Sequence, residues 1–144
     1  PYEVVPGVPA FAAAAAALKR ELTVPGVAQT VVLTRTSARS TPMPPGETLA
    51  AYAATGATLV LHLAVQRIDE LVPELVPHYG ADCPAAVVAY ASRADEVVLR
   101  GTLAGIARQV ADAGIRRTAV VLVGRALAAA EFPDSHLYST ARPR

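Results

Sequence analysis

Two short runs, QTVVLTR at 29–35 and TLVLHLA at 58–64, are apolar and β-branched, without the polar alternation of a half-solvated strand. A strand with no polar face must be covered on both sides. The runs therefore predict interior strands of a sheet sandwiched between helices. The intervening segments supply that cover. Residues 10–20 are Ala-rich, with high helix propensity and side chains small enough for close packing on a sheet. Residues 47–55 read as a short helix ended by Gly56. From Gln66 onward, Ile68, Leu71, Val72, Leu75 and Val76 repeat at helical spacing, with a kink or early end expected at Pro73.

PAAVVAYAS and EVVLRGT, on either side of Asp95, read as two strands joined tightly and hence antiparallel. Thr102 then reads as the cap of a helix carrying Leu103, Ile106, Ala107, Val110 and Ala111 on one face and closed by Gly114. TAVVLVG at 118–124 is the last strand. The order α, β, α, β, α, β, β, α, β predicts one three-layer αβα domain. Its five-stranded sheet is expected to be mixed and mostly parallel. The expected domain covers residues 1–130, with a polar tail over 131–144.

Composition narrows the function. With 53% hydrophobic and 17% charged residues over 144 positions, the chain holds enough apolar side chains for a core. AFAAAAAAL is far short of the roughly 20 residues a membrane span needs. It follows no basic segment, so it does not read as a signal peptide either. A net charge of +1 gives no reason to expect nucleic acid, and no membrane partner is expected. The lone Cys83 fits a reducing cytoplasm. His62, His78 and His136 lack metal-ligand spacing, so they read as packing or surface residues and no metal is expected. No serine sits in a G-x-S-x-G elbow, no P-loop is present, and adjacent Asp69 and Glu70 read as a solvated helix face.

The best site candidate from the residues is the loop TRTSARSTPMPPGE at 34–47. Arg35 and Arg39 offer forked donors for carboxylate or phosphate, Thr41 and its hydroxyl neighbours add more, and three prolines stiffen the loop. It begins at the carboxyl end of a strand, where open α/β sheets collect ligands. The same residues read equally well as a solvated surface connection.

Larger patterns carry a resemblance. EVVPGVPAFAAAAAAL, the strand QTVVLTR with its R-x-x-x-R-x-T-P-M-P loop, VVLRGTLAGIA, and TAVVLVG followed by SHLY resemble the C-terminal part of the tetrapyrrole methylases, over residues 2–138. Within that family the likeness is to members that methylate precorrin-4 at C(11) in cobalamin biosynthesis. It implies S-adenosylmethionine as cofactor, a precorrin (a polycarboxylate tetrapyrrole) as substrate, a homodimer, and a cofactor folded between two α/β domains. The Gly-rich loop of the N-terminal domain has no match here. Together with Pro1 in place of an initiator Met, this implies a chain that is roughly the second half of the enzyme.

By the same resemblance Pro9 and Ala10 lie beside the cofactor, Leu63 replaces the Met of a Tyr-Met-Gly triplet that contacts adenine, Ala91 belongs to an Ala-Ser pair, and Thr118, Ala119 and Val120 make a further adenosine contact. Pro9-Ala10 departs from the usual Ser-Ser or Thr-Ala, Tyr90 stands where relatives often carry Arg, and Arg93-Ala94 replaces Trp-Pro. Arg35, Arg39 and Thr41 would then hold the carboxylate arms of the substrate, and no catalytic residue is assigned. The alternatives are a sister enzyme acting on another precorrin or on uroporphyrinogen III, and a non-catalytic assembly module.

Overall fold

The computed structural model describes residues 2–36 and 42–129. The expected tail at 131–144 lies outside them. The elements run α1 (Ala10–Leu18), β1 (Val31–Arg35), α2 (Leu49–Ala53), β2 (Thr58–His62), α3 (Ile68–Tyr79), β3 (Pro84–Ala89), β4 (Val97–Thr102), α4 (Leu103–Asp112) and β5 (Ala119–Val123). Short 3-10 turns cover Val65–Arg67 and Arg125–Ala128.

The sheet has the order β1-β2-β5-β3-β4 and is mixed. Contrary to expectation it is not mostly parallel: β1–β2 is parallel, whereas β2–β5, β5–β3 and β3–β4 are antiparallel. Each helical crossover nevertheless joins strands of like direction, β1 to β2, β2 to β3, and β4 to β5. The β3–β4 hairpin reverses the chain, so β5 runs with β4 and opposite to β1, β2 and β3. It then enters the slot between β2 and β3, so that one parallel relationship gives way to two antiparallel ladders.

Helices cover both faces. Ile68, Leu71 and Leu75 of α3, Leu103, Ile106 and Val110 of α4, and Ala53 of α2 pack on Leu59, Leu61, Val87, Val121 and Val123. On the other face Ala14 and Leu18 of α1 meet Val60, Ala86, Val88, Val120 and Leu122. Fully buried Ala14 shows why the first helix is Ala-rich, since a longer side chain would lift it off the sheet. The expectation for β2 as a buried interior strand holds. β1 differs: it is an edge strand, and Leu33 is 49% exposed because α1 lies over β3 and β5 instead.

Two local expectations also change. α3 runs on to Tyr79 through both Pro73 and Pro77, so Pro73 brings no early end. Leu71, Leu75 and Tyr79, all buried, anchor it on either side, and that packing outweighs the missing donors. Thr102 occupies the N-cap of α4, but its hydroxyl makes no cap bond. The helix's first amides are satisfied by the preceding loop, Leu103 N donating to Cys83 O (2.9 Å) and Ala104 N to Ala81 O (3.0 Å). At α2 the cap is the hydroxyl of Thr48, which accepts from Ala51 N at 3.1 Å.

Candidate functional site

β2 and β3 end, and the antiparallel β5 begins, at one edge of the layer. There the chain encloses a cavity of about 860 Å³. Its wall comes from four segments: Val8, Ala10 and Ala13 at the entrance to α1, Leu63 after β2, Tyr90 to Arg93 after β3, and Arg116 to Val120 leading into β5. Leu63, Tyr90, Ser92 and Thr118 all have positive φ, between 54° and 67°; Lys19, the fifth such non-glycine residue among those described, ends α1. A left-handed conformation costs a side-chain-bearing residue about 1 kcal/mol or more. Four gathered around one cavity mark it as the place where this fold holds strain. The amide of Tyr90 donates to Thr118 O at 2.9 Å, tying two of these residues together across the strands.

The lining is small and apolar in its depth and cationic at its mouth. Arg93, Arg116 and Arg117 line it together with His62, and among the described residues no carboxylate does. Arg93 is already engaged: its Nε and Nη2 donate to Asp95 at 2.9 and 3.2 Å, and its guanidinium lies 5.3 Å from the Tyr90 ring centroid. The same loop is braced by Ser92 N donating to Glu96 Oε2 at 2.8 Å. Among the described residues no nucleophile and base stand in contact in this lining. The raised pKa values lie elsewhere, at Tyr79, where burial is the main cause and the value reaches about 12, at Cys83, also through burial, and at Tyr52, through burial and then Glu47. The cavity is suited to hold a flat apolar group and exclude water from it rather than to activate a nucleophile.

Ala10, Leu63, Ala91, Thr118, Ala119 and Val120 line this single cavity, although they come from distant parts of the sequence. Pro9 is the N-cap of α1, between the lining residues Val8 and Ala10. Arg35 is not part of it. It lies at the end of β1 beside a smaller cavity of about 350 Å³, with Pro44, Pro45, Glu47, Arg67 and Glu74. Arg39 and Thr41 lie outside the described residues. The sequence reading gave His62, Gln66, Arg116 and Arg117 no site role. The Arg-Arg pair abutting the last strand was the available signal, and only the folded end of β5 gives it a meaning.

The model of the Tetrapyrrole (Corrin/Porphyrin) Methylases matches residues 1–107. The chain belongs to this family. Among tetrapyrrole methylases, a precorrin-4 C(11)-methyltransferase of Rhodococcus erythropolis is 65% identical over 143 residues, 99% of this chain and 57% of its own length. A cobalt-precorrin-4 C(11)-methyltransferase of Methanocaldococcus jannaschii is 44% identical, over 94% of this chain and 52% of that protein. The solved structure of a cobalt precorrin-4 methyltransferase matches 87% of this chain and 52% of its own, with a TM-score of 0.83 at 38% identity. This tetrapyrrole methylase chain therefore spans about half the length of the curated relatives it matches. Among its described residues no helix is long and apolar enough to cross a membrane.

Proposed function

We propose that this chain is the C-terminal, adenosine-holding half of a methyltransferase that transfers a methyl group from S-adenosylmethionine to C(11) of precorrin-4 in cobalamin biosynthesis. The observation that carries the reading is the convergence of Ala10, Leu63, Ala91, Thr118, Ala119 and Val120 on one cavity. High identity to proteins named for that reaction supports the substrate.

The residues present fit the cofactor. Alanines at 10, 13, 91 and 119 leave room for a planar base, Val65, Val88 and Val120 give it apolar walls, and the strained turns at Leu63 and Thr118 bring backbone to the rim. When bound, S-adenosylmethionine supplies a methyl group activated by a sulfonium. The chain's part is to fix the adenosine and keep water out, so that positioning and desolvation contribute much of the rate enhancement. Arg35, Arg39 and Thr41 hold substrate carboxylates on the loop after β1. The remaining half of the cleft is contributed by an N-terminal domain, and the working enzyme is a cytoplasmic homodimer.

Turnover of precorrin-4 by a full-length protein containing this sequence, with an isotope-labelled methyl located by NMR, tests the proposal. Label at C(11) is expected. Label at another carbon alone overturns the substrate assignment and leaves a sister methyltransferase.

A further inference from the structure

We infer that Arg116 and Arg117 form a carboxylate-binding grip at the mouth of the adenosine cavity. The inference builds on the proposed function and names the residues that would meet the ligand's charge. Among the described residues three arginines line this cavity and no acid does, in a chain whose net charge is only +1. A one-signed mouth above an apolar pocket attracts an anion, and the low-dielectric wall strengthens the attraction.

The three arginines are not equivalent. Arg93 is neutralised by the forked contact to Asp95 and occupied by the Tyr90 ring. Arg116 and Arg117 have no ion pair or hydrogen bond among the described residues. Asp69 shares a neighbouring groove with Arg116, but the two form no ion pair. Both free guanidiniums lie directly before Thr118, whose left-handed turn and bond to Tyr90 fix the backbone from which they project. Their forked donors match a carboxylate in a way a lysine does not. The carboxylate belongs either to the amino-acid end of the cofactor or to a side arm of the tetrapyrrole.

NMR titration of a full-length protein containing this sequence distinguishes the two sources. The probes are 5′-methylthioadenosine, which has adenosine without a carboxylate, S-adenosylhomocysteine, which adds one, and uroporphyrin III, which has carboxylate arms without adenosine. In the double variant Arg116→Ala/Arg117→Ala, affinity for a carboxylate ligand is expected to fall about three- to thirtyfold, the lower end reflecting the exposure of the rim. A loss confined to S-adenosylhomocysteine assigns the grip to the cofactor, and a loss for uroporphyrin III assigns it to the substrate. Methylthioadenosine affinity stays unchanged, which also reports that the variant is folded. The double Lys variant recovers part of the loss.

Unchanged affinity for both carboxylate ligands overturns the grip, and so does wild-type protein that binds neither of them. Methylthioadenosine binding by the wild type reads the adenosine pocket separately. A chain that binds it and shows no arginine effect keeps the pocket and loses the grip. A chain that does not bind it, yet loses uroporphyrin affinity on substitution, keeps the grip and loses the adenosine reading.

Discussion

Tyr79 closes α3 with its ring in the core and its hydroxyl donating to Ala57 O at 2.6 Å. Burial, then the nearby Cys83, pushes its phenol up to about 12. The folded state thus favours the protonated form: its contribution is complete below the ordinary phenol value near 10 and is lost as pH rises toward 12. Chemical denaturation between pH 8 and 12 should show that alkaline loss, on the order of 2 kcal/mol. In Tyr79→Phe the loss should be reduced, while stability at neutral pH drops by about 1–2 kcal/mol because the Ala57 carbonyl loses its partner. Thr58 is the opposite case, with a buried hydroxyl that has no hydrogen-bond partner among the described residues. Thr58→Val keeps the shape and removes the orphaned group, so the same assay should show no loss and up to about 1 kcal/mol of gain. Gly124 sits against Thr58 with φ +153°, and a Cβ there would come within 3.1 Å of the Thr58 Cα. Gly124→Ala should therefore lower stability by about 1–3 kcal/mol. Neither the Tyr79–Ala57 nor the Gly124–Thr58 pairing was legible in the sequence, because each depends on which elements became neighbours.

Among the elements, α1 depends on a distant side chain. Its end turns at Lys19, in a left-handed conformation, and Arg100 Nη2 from β4 donates to Ala17 O and Leu18 O, both at 3.2 Å. Arg100→Ala should destabilise the protein by about 1 kcal/mol. It should also speed amide exchange selectively in the last turn of α1, and unchanged exchange there would show the contact to be idle. The helix itself was readable from its alanines, as were α3 and α4 from their 3.6-residue spacing and Gly56 and Gly114 from their stop positions. Strand existence was equally clear from the β-branched runs. Strand neighbourhood was not, since composition does not tell a central run from an edge run: QTVVLTR looks like TLVLHLA but lies at the border with Leu33 half exposed. The residues proposed to face adenosine were suggested only by family likeness, because small and apolar side chains leave no chemical signature. The guanidiniums at 116 and 117 were visible as letters but had no address until β5 was placed.

At the scale of the whole molecule, one wall of the proposed cleft is present and exposed apolar side chains line it, with Leu63 81% and Val8 79% exposed. Calorimetry should find S-adenosylmethionine bound far more weakly by this chain than by a full-length protein, and comparable affinities would refute a shared site. Sedimentation at rising concentration should reveal self-association through that apolar wall. The position of β5 has a consequence in time. It is the last of the described strands to be synthesised, yet it forms the central seam of the sheet, between β2 and β3. Until it arrives, the β1–β2 pair and the β3–β4 hairpin share no backbone ladder. A ribosome that has made everything through α4 therefore holds two half-sheets with bare facing edges. Its product commits to the native state only when residues 119–123 leave the exit tunnel, so nascent chains halted just short of them should remain sensitive to protease and dependent on chaperones.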